Sequence, residues 1–381
     1  MWMKKKELHV LYIITKLELG GAQKVCLSLF NGLSSQGHRS FLISGTDGTL
    51  TNQVSEEKNI ILLSSFVREV GWQSFITEWR AFKELVRKIK QLKKEFPDLI
   101  VHTHSTKAGI LGRWAAWWCG IEKRIHTVHG FAFHEYQTWL KWVCIYAVEF
   151  ITSFITTHYV CVSSHDVKTG IRLFPRFTQK HSIIRAAVDT KQFYLPAQKN
   201  KFERSTNTFV FGTISCFKEQ KNLFDLLHAF KDAYAKNNTI RLEIIGDGIL
   251  RPALEEWIKH HELTQVITLH GWQSEVAPIM IDWHAFVLSS LWEGLPCAVV
   301  EARLLKLPVL SYNTGGIHDI IFSGENGFLY KQKQWHQLAH GMLTLAQNNQ
   351  LYKKLASYHD DLRSFEQSYM IQQHLTLYRD F

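Results

Sequence analysis

The residues best equipped for chemistry lie in Ser290-Leu291-Trp292-Glu293-Gly294-Leu295-Pro296-Cys297, followed by Glu301-Ala302. Two carboxylates stand eight residues apart. If a helix starts near Pro296, Glu301 falls in its second turn and Glu293 in the loop before it. A loop glutamate can accept hydrogen bonds from sugar hydroxyls, and a helix-borne one from a ribose. Backbone N–H groups at Leu295 and Cys297 would face an anion there. Two glutamates at this spacing are common by chance. Set between an apolar run at 285–289 and a helix, with Gly-Leu-Pro between them, they are not.

Three further loops could hold phosphate. Phe211 to Asn222 reads as a strand ending in a short loop with Lys218 and Lys221, then a helix. Cations beside a helix N-terminus can clamp a diphosphate, although surface lysines are usually just solvated. Gly20-Gly21-Ala22 follows a strand-like run and opens a helix, so the Gly21 backbone could approach a phosphate closely. An isolated Gly-Gly is as often a plain turn. Gly246-Asp247-Gly248 is a similar strand-to-helix turn, for which a turn with a helix cap is an equal reading.

Histidines form the remaining candidates. His102, His104, Ser105 and Lys107 cluster at the end of one predicted strand, and His126, His129 and Gly130 at the end of the next. Carboxyl ends of strands are where open α/β sheets bind ligands. His129, followed by Gly130, is the favoured functional group. His102 and His126 fall inside strands and read as packed. Arg68, His104 and Lys107 are candidate acceptor contacts.

The elements that must position these groups alternate regularly. Strand-like runs at 8–15, 40–44, 60–63, 98–103, 124–129, 158–163 and 181–185 are interleaved with helical patterns near 22–36, 74–96, 106–119 and 137–156. A polar stretch at 189–207 reads as a linker. Strands then recur near 208–214, 240–245, 265–269, 285–289, 308–311 and 327–330, with helices near 222–236, 250–261, 297–306 and 333–348. Residues 350–381 read as helical. This is the pattern of parallel α/β units repeated in two halves. It predicts two Rossmann-like α/β domains facing a central cleft: 1–188, then 208–360, with 361–381 packing back on the first.

Composition agrees with a folded two-domain chain. There are 381 residues, of which 46% are hydrophobic and 20% charged. The six cysteines show no C-x-x-C or paired spacing, which argues against structural zinc and a disulfide framework and for a reducing compartment. The start, MWMKKKELHVLYIIT, has a strand's length and lacks a signal-peptide cleavage site. The long apolar stretch Trp139 to Val162 is interrupted by Lys141, Glu149 and His158, against a membrane span. The net charge of +10 is uneven, with about +11 in residues 1–185. The helix Arg80 to Phe96 carries Lys83, Arg87, Lys88, Lys90, Lys93 and Lys94. A solvated face and contact with an anionic membrane surface are both open readings. There is no recognised nucleic-acid-binding motif, so no nucleic-acid partner is expected.

Taken together, these motifs resemble the family 4 retaining glycosyltransferases. Glu293 and Glu301 with Gly294-Leu295-Pro296 are similar to that family's E-x7-E element. Pro308-Val309-Leu310, Thr314-Gly315-Gly316, Gly324-Glu325-Asn326-Gly327, Gly246-Asp247-Gly248 and His270-Gly271 are similar to its C-terminal domain. Gly20-Gly21-Ala22, the His102–Gly112 stretch and Thr127-Val128-His129-Gly130 are similar to its N-terminal domain. The resemblance implies a GT-B fold and transfer of a sugar from a nucleotide-sugar, with UDP favoured, and with retention. It implies that Gly21 approaches donor phosphate, Lys221 binds the diphosphate, Glu293 holds the transferred sugar, Glu301 holds the ribose, and His129 sits by the reacting sugar. Lys218, Gly246, Gly294, Leu295 and Cys297 complete the expected donor set. No metal and no other cofactor are expected.

Two positions depart from the family pattern. Cys216 stands where an arginine is usual, with Lys218 a candidate replacement, and Ala186-Ala187 replaces the usual Asn-Gly before Val188-Asp189. The expected acceptor is lipid-linked or a growing glycan, at the cytoplasmic face of the plasma membrane. The rival readings are a GT-B epimerase acting on the sugar-nucleotide and a non-catalytic scaffold.

Overall fold

The computed structural model describes residues 6–18, 20–51, 59–66, 74–193 and 208–380. The chain divides into two units, Met1–Ala187 with Ser364–Phe381, and Val188–Arg363. The first contains β1 (His9–Ile13), α1 (Gly21–Ser35), β2 (Arg39–Gly45), β3 (Ile60–Leu63), α2 (Ser74–Glu95), β4 (Ile100–His104), α3 (Thr106–Trp118), β5 (Arg124–Val128), α4 (Trp139–Ile155), β6 (His158–Cys161), α5 (Ser164–Leu173) and β7 (His181–Ile183). The second contains β8 (Phe209–Ile214), α6 (Leu223–Lys236), β9 (Ile240–Ile245), α7 (Arg251–His260), β10 (Ile267–Gly271), α8 (Ala277–Met280), β11 (Ala285–Leu288), α9 (Cys297–Leu304), β12 (Val309–Tyr312), β13 (Gly327–Tyr330), α10 (Trp335–Gln347) and α11 (Asn349–Ala356). Helix α12 (Gln367–Asp380) belongs to the first unit.

Each unit is built on one parallel sheet. The strand orders are β3-β2-β1-β4-β5-β6-β7 and β10-β9-β8-β11-β12-β13. Helices cover a parallel sheet on both faces, so its strands read as unbroken apolar runs. Strands β11 and β12 are buried at every residue. In both sheets the order reverses beside the first strand, between β1 and β4 and between β8 and β11. Loops leaving the carboxyl ends of such a pair diverge and open a crevice that suits a ligand. The two Rossmann-like domains expected from the sequence are thus present.

Two local features depart from the expected elements. Helix α5 lies between the strand-like runs at 158–163 and 181–185, where the sequence pattern predicts no helix. Its Ser163 Oγ caps the Asp166 N–H at 3.1 Å, but a ten-residue helix is short for a periodicity to declare itself. The tail is not one helix, because Arg303 intervenes. Its fully buried guanidinium is held by the Asp360 carboxylate at 2.7 Å and the Tyr358 carbonyl at 3.4 Å. That turns the chain between α11 and α12. Of the expected linker, Thr190–Phe193 form a 3-10 turn and 194–207 lie outside the described residues.

Candidate active site

The second unit gathers the strongest candidates at its β8–β11 crevice. The loop after β8 carries Lys218 and Lys221 and ends at Asn222 in the left-handed conformation, φ 46°. The loop after β11 carries Glu293. Four contacts zip the two loops together. The Leu291 N–H donates to the Gln220 carbonyl at 2.8 Å. The Gln220 amide donates to the Trp292 carbonyl at 2.6 Å, and the Ser289 hydroxyl to the Lys221 carbonyl at 2.9 Å. Lys221 Nζ donates to Glu293 Oε1. The pair is mostly withdrawn from water, so the attraction between its two charges is weakly screened.

A third loop buttresses Glu293 from behind. Gly315 has φ 52°, and a Cβ there would lie 2.0 Å from the Glu293 carbonyl oxygen. The Gly316 N–H donates to the Gly294 carbonyl at 2.7 Å, and Thr314 Oγ1 to the Leu291 carbonyl at 3.1 Å. Gln332 adds a bond to the same Leu291 carbonyl at 2.6 Å. Glu301 is part-buried in the second turn of α9, as its spacing predicts. Leu295 and Cys297 bracket Pro296 at the N-terminus of that helix.

Gly246 has a packing reason of its own. A Cβ there would lie 1.9 Å from the Ser215 carbonyl, and its N–H bonds Gly271 O at 2.8 Å. Asp247 ties this turn to the first loop, its carbonyl accepting from Phe217 N–H at 2.8 Å. The roles of Gln220, Thr314, Gly315 and Gln332 in holding Glu293 were missed as site features. In the sequence Gln220 lies in the Phe211–Asn222 loop and Thr314-Gly315 in the Thr-Gly-Gly after an apolar strand, but nothing there links them to Glu293.

In the first unit, Gly21 opens α1. At the β1–β4 switch point Ser105 has φ 63° and ψ 157°, a strained combination for a residue with a Cβ. Its hydroxyl lies 2.8 Å from Thr15 Oγ1, and Thr15 Oγ1 accepts from the Ala108 N–H at 3.1 Å. His129 follows β5, and its Nε2 lies 3.0 Å from Nδ1 of His104. One ring donates and the other accepts. Desolvation, with a contribution from His374, holds His129 down to about 3, so the imidazole is neutral at physiological pH.

His104 is fully buried, and burial with the neighbouring His129 holds it well below the ordinary histidine value. Among the described residues its side-chain hydrogen-bond partner is His129. Lys107 is in an ion pair with Glu78 at 2.5 Å. Arg68 lies outside the described residues. His102 and His126 are packed, on Thr127 at 2.7 Å and Thr103 at 2.9 Å.

Two parallel Rossmann-like units with glutamates on either side of a helix start match the scaffold expected from the sequence, and known proteins supply its family. Residues 19–192 match the family Glycosyltransferase Family 4, and residues 196–361 match Glycosyl transferases group 1. A relative from Escherichia coli, UDP-Gal:alpha-D-GlcNAc-diphosphoundecaprenol alpha-1,3-galactosyltransferase, is 32% identical over 82% of this chain and 81% of its own length. The capsular polysaccharide biosynthesis glycosyltransferase CapM of Staphylococcus aureus is 26% identical over 68% of this chain and 69% of its own. Among solved structures, Anabaena HepE in complex with UDP and glucose covers 98% of this chain and 100% of its own with a TM-score of 0.81 at 17% identity. The chain belongs to the family 4 glycosyltransferases, with the GT-B fold, and is a glycosyltransferase.

Proposed function

We propose that this glycosyltransferase moves a hexose or N-acetylhexosamine from a UDP-sugar to a lipid-linked acceptor, with retention and without a metal, in cell-surface glycan assembly at the cytoplasmic face of the membrane. The observation that carries the reading is the Lys221–Glu293 pair at the β8–β11 switch point, with Glu301 in the second turn of the helix that follows. The E. coli relative is named for a UDP-sugar donor and a diphosphoundecaprenol acceptor, which supports both halves.

In this reading the bond between the anomeric carbon and the donor phosphate oxygen breaks, and its electron pair stays on the phosphate. The acceptor hydroxyl oxygen bonds the same carbon from the same face, and its proton passes to the departing phosphate. Lys221 and Lys218 stabilise the charge that develops on the diphosphate. Glu293 moves from Lys221 to the hydroxyls of the sugar, and Glu301 takes the ribose. Gly21, Gly246, Gly294, Leu295 and Cys297 bring backbone close to the donor. His129, neutral and oriented by His104, is the proposed catalytic partner in the first unit.

The test is mass spectrometry of a nucleotide-sugar panel incubated with the protein, with and without a membrane lipid extract. One donor consumed only with lipid, releasing UDP, is expected. Conversion without lipid would indicate an epimerase, and no turnover of any donor a scaffold. Glu301→Ala should weaken donor binding about tenfold by calorimetry, and unchanged affinity would remove Glu301 from the site.

A further inference from the structure

We propose that the outer face of α4, with the tryptophans ending α3 and the basic stripe of α2, is the surface by which this chain seats on a bilayer carrying anionic headgroups. Its purpose rests on the lipid-linked acceptor proposed above. Its location rests on geometry.

Helix α4 is apolar on both sides, unlike an ordinary surface helix, whose polar side faces water; inward, Trp142, Ile145, Tyr146 and Phe150 pack on the core. Apart from Lys141, the charged and hydroxyl groups of α4 point inward. Glu149 is buried and held bidentately by Arg113 at 2.8 and 3.1 Å, and Thr152 accepts from Trp114 at 3.0 Å. A second set of large apolar side chains points outward. Trp139 is 76% exposed and Phe154 65%, with Leu140, Val143, Val148 and Ile151 between them. Positions 140, 143, 147, 151 and 154 follow helical spacing, so this is one continuous stripe. Soluble chains seldom leave such a stripe in water unless something covers it.

The neighbouring helices say what covers it. α4 packs on α3, and α3 on α2. Trp118, 65% exposed, and Trp117 end α3, the kind of side chain that settles at a headgroup boundary. Lys93 Nζ donates to the carbonyls of Cys119 and Gly120 at 2.9 and 2.8 Å, directly after them. Along α2 the exposed stripe runs Ile76, Trp79, Lys83, Arg87, Lys90 and Lys94, and Lys83 Nζ stands 5.3 Å over the Trp79 ring. The exposed outer face of α4 itself carries one charge, Lys141, because its only acid is the buried Glu149.

Charge separates a bilayer from a second copy of the chain. Residues 1–187 with 364–381 carry the whole net charge of +10, and 188–363 balance to zero. Two copies meeting through this face would bring like charges together, whereas anionic headgroups complement it. At 17 residues α4 spans about 25 Å, and among the described residues no helix is long and apolar enough to cross a membrane. The face therefore lies on the bilayer, its apolar stripe at the depth of an interfacial helix.

The experiment is co-sedimentation of the full chain with vesicles of phosphatidylcholine, alone or mixed with phosphatidylglycerol, beside the double variants Ile151→Ser/Phe154→Ser and Arg87→Gln/Lys90→Gln. All four positions face solvent, and unfolding midpoints matching the parent show that each variant folds. The parent should pellet with the mixed vesicles, less so at high salt. The apolar variant should bind about tenfold more weakly or worse, and the basic variant should lose the preference for phosphatidylglycerol. A parent that stays in the supernatant, or variants that bind as the parent does, would overturn the proposal. So would a concentration-dependent dimer in sedimentation equilibrium that Ile151→Ser/Phe154→Ser dissolves, since a second copy would then cover the face. Donor consumption is followed separately. Vesicle binding without turnover sinks the transfer reading alone, and turnover without vesicle binding sinks this one alone.

Discussion

The histidine cluster of the first unit makes its stability depend on pH in a direction that can be worked out. His102, His104, His126, His129 and His374 gather beneath the β4 and β5 strand ends. His102 and His374 rings lie 5.6 Å apart, and Tyr378 OH stands 2.5 Å from His102 Nδ1 and 3.2 Å from Tyr12 OH. Burial holds His374 down to about 4, and burial holds His102 and His126 well below the ordinary value. A histidine whose folded pKa is depressed stays neutral in the fold, while the unfolded chain takes up a proton. Stability is therefore intact above the unfolded value near 6.5 and is lost as pH falls below it, until the folded value is reached. From pH 7.5 to 5.5, His374 alone removes about 1 kcal/mol, and the other rings act in the same direction.

Replacing His374 isolates its share. His374 Nδ1 donates to the Met370 carbonyl at 2.9 Å, but its buried Nε2 has no hydrogen-bond partner among the described residues. His374→Leu loses one bond and removes one orphaned nitrogen, so stability at pH 7.5 should change by only about 1 kcal/mol. The slope of unfolding free energy against pH, below pH 6, should fall by close to one proton, about 1.4 kcal/mol per pH unit. Urea unfolding at a series of pH values measures the slope, with hydrogen exchange assigning the transition to the first unit. An unfolding midpoint unchanged between pH 7.5 and 5.5, or an unchanged slope in His374→Leu, would refute the reasoning.

Two further substitutions probe fold and site. Arg113→Met strands the buried Glu149 carboxylate and should cost about 3–5 kcal/mol in chemical unfolding; adding Glu149→Leu should restore most of it. Gly315→Ala places a methyl against the Glu293 carbonyl at a strained φ, so the Glu293 loop must shift. Donor turnover should then drop about a hundredfold or more while the unfolding midpoint moves little, since misplacing a reacting group by about 1 Å costs that much; equal turnover would remove the buttress from the argument.

How much of this was legible depended on whether the signal was local. The strands of both sheets stood out because a parallel strand buried on both faces is an apolar run, as in Ala285–Leu288. Glu301 in the second turn of α9 followed from Pro296 and spacing alone. What escaped was adjacency. Lys221 and Glu293 read as separate contacts because they are 72 residues apart, and only the crossover placing β8 beside β11 makes them a pair. Likewise His129 looked like a lone strand-end histidine. Its partner His104 comes from the neighbouring strand, and His374 arrives on a helix from the far end of the chain.

The two most informative regions of the first unit are those where residue type and burial disagree. Histidines, which prefer water or a ligand, are packed beneath the strand ends, while tryptophan, leucine, isoleucine and phenylalanine face outward on α4. Neither arrangement serves stability. The neutral ring cluster makes the unit sensitive to acid, and the apolar stripe leaves hydrophobic surface in water. A fold tolerates such disagreements where another requirement outweighs them. For the histidines that requirement is a rigid, uncharged support behind His129. For α4 it is a surface that binds what water does not. On the sequence, the same α4 residues read as a helix within a stretch too interrupted to span a membrane. The interruptions are what distinguish lying on a bilayer from crossing it: Glu149 is turned inward onto Arg113, and Lys141 stays at the surface.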